Sequence, residues 1–129
     1  MLVCEEILPP FLSMGTLVTP LTRILGVVLL VVGLLGFVMS SPLLGIFEVD
    51  TIHNLIHVAS GIVALAVAGN KGYATMYLIV FGIVYGLVAV LGYMNGSSIL
   101  GIFGVNGADN ALHTAIAAVC LIVGFGSKS

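Results

Sequence analysis

Charge is what this sequence has least of. Its 129 residues include three Lys or Arg and five Asp or Glu. Charged residues make up 6 % of the chain, against about 25 % in ordinary soluble domains. Hydrophobic residues make up 60 %, and the mean hydropathy is +1.32. A water-soluble globule of this size needs far more polar surface. The composition therefore excludes a soluble fold and indicates a membrane protein, with the lipid bilayer as its surroundings.

Basic residues, cysteines and catalytic motifs are also scarce. Three basic residues cannot form the positive surface that nucleic acid requires. The two cysteines, Cys4 and Cys120, lie in an N-terminal segment and deep in a predicted helix, so we expect two free thiols. The sequence has no nucleophile elbow, phosphate-binding loop, CxxC or zinc-protease signature. We therefore expect neither a nucleic-acid partner nor an enzyme.

Long uncharged stretches predict four membrane-spanning helices. A helix needs about 20 residues to cross a hydrocarbon core of about 30 Å, and each stretch between charged residues can hold one such span. Open strands are excluded because lipid cannot satisfy their edges. The predicted helices cover residues 21–39, 52–69, 73–94 and 108–126. The fold class is therefore predicted to be an all-α membrane protein, a bundle of four transmembrane helices.

The three basic residues predict the orientation of this bundle. Arg23 opens the first predicted helix, Lys71 lies in the turn between the second and third, and Lys128 follows the fourth. All three fall on one side of a four-span protein, and the positive-inside rule makes that side cytoplasmic. We therefore expect a multi-pass protein of the plasma membrane with both termini in the cytoplasm. Residues 1–19 are predicted to be a cytoplasmic tail, disordered or lying at the membrane interface.

The second half of the chain repeats the first at a shift of 56 residues. Residues 43–65 align with residues 99–121, and ten positions are identical, among them Asn54 with Asn110 and His57 with His113. Each unit, 20–71 and 72–129, is predicted to be one helical hairpin. Because each unit crosses twice, the second enters the membrane in the same direction as the first, as in other parallel repeats.

Small residues predict which helices lie inside the bundle. Ser60, Ala64 and Ala68 in the second helix, and Ala111 and Ala115 in the fourth, would let two backbones approach closely. We therefore expect the second and fourth helices to form the inner pair, with the Val- and Leu-rich first helix facing lipid. A chain of this size exposes much apolar surface, so we also expect a homo-oligomer or a larger membrane complex.

All three histidines lie in the repeated motif. Spacing of four places two histidines on one face of the second helix, and an aspartate and a histidine on one face of the fourth. If these faces meet, three imidazoles and a carboxylate converge, which suits zinc or another divalent metal. His57 and His113 alone could instead ligate a haem. The two motifs read Asp50-x-x-His53-Asn54-x-x-His57 and Asn106-x-x-Asp109-Asn110-x-x-His113.

A structural interpretation of the same motif needs no ligand. Asp50 and Asn106 suit helix N-caps, and Asp109 can complete a capping box. Asn54 and Asn110, with the histidines, could then be hydrogen-bonded contacts between the hairpins. A third hypothesis is a proton or ion pathway, because ionisable residues within a span are functional candidates. We favour a non-enzymatic structural or accessory membrane module, with metal or haem binding as the alternative.

The loops before the second and fourth helices are unusually apolar. Both contain the sequence LGIF, at 44–47 and 100–103. Such a segment can anchor a loop at the membrane interface, or it can form a hydrophobic lid above the histidines. We favour the anchor.

Four short motifs carry a family resemblance. HNxxH at 53–57, DNxLH at 109–113, LGF at 35–37 and LGY at 91–93 resemble the family called domain of unknown function 4383. The resemblance covers residues 20–126 and implies a small four-helix integral membrane protein from a bacterium or archaeon. It implies no activity, so the functional hypotheses rest on the residues themselves.

Overall fold

The computed structural model describes residues 14–39 and 41–127, and within these ranges the chain forms four helices. Three of them are long and apolar enough to cross a membrane, whereas α2, with 17 residues, is shorter. The all-helical prediction is confirmed, as is the prediction of helices that could span a membrane. The helices are α1 (Met14–Val38), α2 (Thr51–Val67), α3 (Lys71–Asn95) and α4 (Gly107–Gly126).

Helix α1 differs most from its prediction. It begins at Met14 instead of Leu21 and continues through Pro20, so residues 14–19 are helical and the prediction of a tail over them is wrong. Arg23 is exposed within the helix and does not open it. The prediction treated the first basic residue as the helix boundary, but an arginine inside a helix can extend its head to the interface. Residues 1–13, Cys4 among them, and Lys128 lie outside the described residues.

The helices pack most closely within each hairpin, α1 on α2 and α3 on α4. Gly61 of α2 lies directly against the α1 backbone: a Cβ added there would be 2.7 Å from the Gly26 carbonyl oxygen and 2.7 Å from the Leu30 nitrogen. In the other hairpin, Gly82 lies against the side chains of Cys120 and Leu121. Glycine therefore sets the closest helix approaches.

The prediction that α2 and α4 form the closely packed inner pair is wrong. Ala111 and Ala115 of α4 are exposed, although Ser60 and Ala64 of α2 and the C-cap residue Ala68 are buried. The reason is that glycines in α1, α2 and α3 allow two helices to approach more closely than alanine does. These glycines lie at the contacts between consecutive helices. As expected, α1 exposes many Val and Leu side chains.

The two loops have the same backbone turn. Leu44 and Leu100 adopt left-handed φ angles of 54° and 52°, and the glycines that follow, Gly45 and Gly101, have φ of 73° and 72°. Positive φ is uncommon for a residue other than glycine. The turn closes a bridge between Leu43 and Phe47 in the first loop, and in the second it joins the antiparallel strands β1 (Ser98–Ile99) and β2 (Phe103–Gly104).

Hydrogen bonds hold the two loops together at one end of the molecule. Each bond joins a side chain of one loop or helix start to the backbone of the other hairpin. The Gly104 backbone N–H donates to Asp50 Oδ2 (2.7 Å), and the Glu48 backbone N–H donates to Asp109 Oδ2 (3.1 Å). The Asn106 side-chain amide, through Nδ2, donates to the Ile46 carbonyl oxygen (2.8 Å). The starts of α2 and α4 therefore lie side by side.

Candidate metal centre

Three buried histidines meet where α2 and α4 begin. The ring centroids of His53 and His57 are 4.5 Å apart, and that of His113 is 5.6 Å and 6.1 Å from them. Each histidine offers one ring nitrogen, and these three nitrogens all lie within 4.8 Å of one another. None of the three side chains is more than 2 % exposed. The structure therefore brings together all three histidines of the repeated motif.

Helix caps set the register of these histidines. Asp50 Oδ1 accepts the His53 backbone N–H at 2.8 Å and caps α2. Asn106 and Asp109 form a capping box at α4, in which each side chain accepts the other's backbone N–H at 2.9 Å. Both caps occupy the positions that the sequence predicts. Because α2 and α4 start side by side and are capped at equivalent positions, their histidines face each other at similar depth.

The carboxylate of Asp109 does not belong to the histidine group. Its Oδ2 accepts the backbone N–H groups of Asn106 and Glu48, and the three-residue ligand group contains histidines only. Asp109 is 2 % exposed, so these two bonds satisfy a buried acceptor. The structure thus places Asp109 in the cap and in the contact between the loops, although the motif had also suggested a metal ligand.

Asn54 and Asn110 contact glycines of their own hairpins. Asn54 Oδ1 faces Gly36, and Asn110 Oδ1 faces Gly92, so tightly that a Cβ on either glycine would overlap the amide. Neither Oδ1 atom has a hydrogen-bond partner in the described part of the chain. These oxygens therefore do not join the hairpins by hydrogen bonds, and the loop carboxylates perform that role.

Five of the six histidine ring nitrogens are buried without a hydrogen bond of good geometry. Both nitrogens of His53, both of His57 and Nδ1 of His113 are buried without a partner among residues 14–39 and 41–127. A neutral imidazole has one donor and one acceptor nitrogen. Burying either unsatisfied costs about 1–3 kcal/mol. A cluster that served only to hold helices by hydrogen bonds would use these atoms, and this one does not.

A cavity of about 120 Å³ borders the three histidines. Phe103 of the second LGIF segment covers one side, with its ring centroid 5.1 Å from that of His53. Leu100 and Ile102 of the same segment are exposed, as an interfacial anchor requires. Phe103 therefore lies where a lid over the histidines would lie, and the interfacial anchor stays a prediction. The remaining lining side chains are Ile56, Ser60, Phe81, Val84, Tyr85 and Val88.

Sequence reasoning did not connect Tyr85 and Ser60 with the histidines. A signal was present in the repeat: the positions equivalent to Tyr85 and Ser60 are Leu29 and Ile116. Polar residues that replace apolar ones in only one hairpin identify the polar side of the cavity.

Comparison with known proteins supplies a family. Residues 20–126 match the family described as Domain of unknown function (DUF4383). The chain belongs to this family. The resemblance carried by the HNxxH and DNxLH motifs is therefore confirmed. No curated protein and no solved structure matches the chain. Membership in DUF4383 supplies no chemistry, so the function has to be argued from the histidine site.

Proposed function

We propose that this DUF4383 protein binds one transition-metal ion in the membrane through His53, His57 and His113. The observation that supports it is that one ring nitrogen from each residue lies within 4.8 Å of the others, in a cluster where five of the six ring nitrogens are buried without a hydrogen bond. Three histidines are an established ligand set for Zn²⁺, and imidazole also suits copper, iron and nickel. Metal–nitrogen bonds of about 2.0–2.1 Å require the rings to draw slightly closer, which rotation of the side chains provides.

A haem fits this site less well. His53 packs against both His57 and His113, so it occupies space beside the two residues that would ligate the iron. The cavity of about 120 Å³ is small beside the roughly 300–1,000 Å³ of pockets for larger ligands. A purely structural cluster is disfavoured because five of the six ring nitrogens make no hydrogen bond of good geometry in the described residues. The proton or ion pathway stays a prediction.

We also propose the finer architecture, two tandem hairpins that enter the membrane in the same direction. The matching φ angles at Leu44 and Leu100, and the caps at Asp50 and Asn106, support an internal repeat. The hydrogen bonds between the two loops support a parallel arrangement. With the positive-inside rule, both termini are cytoplasmic, in the plasma membrane of a bacterium or archaeon. Oligomerisation and the lack of enzymatic activity stay predictions.

Metal binding is tested on the purified protein in mild detergent. The affinity tag must contain no histidine, because all three histidines of the chain lie in the cluster. Equilibrium dialysis against Zn²⁺ or Cu²⁺, followed by elemental analysis, should give one ion per chain. His53→Ala, His57→Ala and His113→Ala should each lose it.

The control is Thr114→Ala, which changes an exposed residue next to His113 and should retain the ion. The proposal is wrong if the folded wild-type protein binds no stoichiometric ion, or if the histidine variants bind as the wild type does.

A further inference from the structure

The Tyr85 hydroxyl is buried beside the Ser60 side chain, and it makes no hydrogen bond of good geometry in the described ranges. Tyr85 is 3 % exposed and lines the same cavity as the three histidines. Its ring centroid lies 5.5 Å from that of His113. A buried tyrosine hydroxyl usually finds a partner, and leaving it unpaired is costly. The position and burial of this group therefore point to a bound molecule.

Packing does not explain the hydroxyl. The equivalent residue of the first hairpin is Leu29, which is 2 % exposed and lies in the core. An apolar side chain thus fills that place in one hairpin, whereas Tyr85 brings an oxygen into the other. Ser60 is also polar where its equivalent is Ile116, and Tyr85 and Ser60 both line the cavity.

The size and lining of the cavity limit what can bind. Its volume of about 120 Å³ exceeds the roughly 10–15 Å³ that one water needs, so it holds a molecule of a few atoms. Apolar side chains form much of the wall, among them Phe81, Val84 and Val88. Three histidine ligands leave the fourth position of a tetrahedral metal open.

We infer that the metal ion proposed above keeps this position open towards the cavity, that a small unbranched anion or neutral molecule coordinates there, and that the Tyr85 hydroxyl donates a hydrogen bond to it. The inference rests on the proposed metal site. It assigns Tyr85 to positioning the exogenous ligand, while the three histidines hold the metal.

Azide binding to the Co²⁺-loaded protein tests this inference. Visible absorption reports Co²⁺ coordination, first during loading and then during titration with sodium azide. Wild type and Tyr85→Phe should bind one Co²⁺ with similar affinity. Azide should change the wild-type spectrum, and Tyr85→Phe should bind azide at least about 10-fold more weakly, because it lacks a hydrogen bond to a charged ligand.

Tyr77→Phe is the matched control. The Tyr77 hydroxyl is also buried, but it donates to the Ser60 carbonyl oxygen at 2.9 Å, and Tyr77 is not among the residues that line this cavity. Its azide affinity should equal that of the wild type. Tyr85→Leu, which copies the residue at position 29, serves as a second variant if Tyr85→Phe does not fold.

Each failure points to a different step. If the wild type binds Co²⁺ but azide leaves its spectrum unchanged, no open position exists and the inference is overturned. If Tyr85→Phe folds but loses Co²⁺, Tyr85 is itself a ligand, which also overturns it while the metal site stands. If the folded wild type binds no Co²⁺, both the metal site and the inference fail.

Discussion

One oxygen of Asp109 stabilises both its own helix and the neighbouring loop. Oδ2 accepts N–H groups from Asn106 and from Glu48. Asp109→Ala leaves both donors without this acceptor. Loss of a cap costs about 1 kcal/mol, and loss of a buried partner costs about 1–3 kcal/mol. We expect a lower midpoint of thermal unfolding, followed by circular dichroism in detergent.

Asp109→Asn removes the negative charge but keeps a side-chain oxygen that can accept hydrogen bonds. The asparagine keeps an oxygen at the same place, so much of the lost stability should return. An Asp109→Ala variant that unfolds at the wild-type temperature would show that these two bonds contribute nothing measurable.

At the residue level, local interactions were predictable and distant ones were not. The caps at Asp50 and Asn106 follow from short-range chemistry that the sequence displays directly. Asp109 is four residues from His113, which places both on one face, but the capping box directs the carboxylate to the backbone. The contact of Asn54 with Gly36 depends on how α1 lies against α2, which no local pattern specifies.

At the level of elements, Gly61 sets the distance between α1 and α2. A Cβ there would lie 2.7 Å from two backbone atoms, of Gly26 and Leu30, which cannot rotate away. Gly61→Ala should therefore separate the helices and lower the free energy of unfolding by about 1–3 kcal/mol, as overpacking does. Thermal or denaturant unfolding in detergent measures the change.

Gly69→Ala is the matched control for this substitution. Gly69 follows α2, and a Cβ there would meet nothing within 4 Å. It should leave the stability near that of the wild type. Equal stabilities for Gly61→Ala and Gly69→Ala would contradict the close α1–α2 contact.

The existence of the helices was easier to predict than their ends or their packing. Long uncharged stretches are a membrane requirement, and they located all four helices of the described residues. The start of α1 was misplaced because Pro20 and Arg23 are tolerated within it. The inner pair was misassigned because small residues show where a close approach is possible, but not which helix makes it.

At the level of the whole molecule, the two hairpins are joined by hydrogen bonds between their loops and by a shared apolar core. Helices pack more closely within a hairpin than between hairpins, although one core includes residues of all four helices. The loop carboxylates and the histidines lie at the same end. A metal held by α2 and α4 would add a link between the hairpins beside these hydrogen bonds.

The proposed orientation places the histidine end of the molecule outside the cell. Cysteine labelling tests it after Cys4 and Cys120 are replaced by serine, with Ser97→Cys in the second loop and Gly69→Cys in the α2–α3 turn. Both positions are exposed. In intact cells, a membrane-impermeant maleimide should label Ser97→Cys. Gly69→Cys should react only after permeabilisation, because the nearby Lys71 favours the cytoplasmic side.

The pattern of labelling distinguishes the possible topologies. The reverse pattern would invert the protein and place the metal site near the cytoplasm. Labelling of both positions in intact cells would mean that α3, the helix between them, does not cross the membrane. Such a result would also contradict the parallel hairpins, since both helices of each hairpin must cross the membrane in that arrangement.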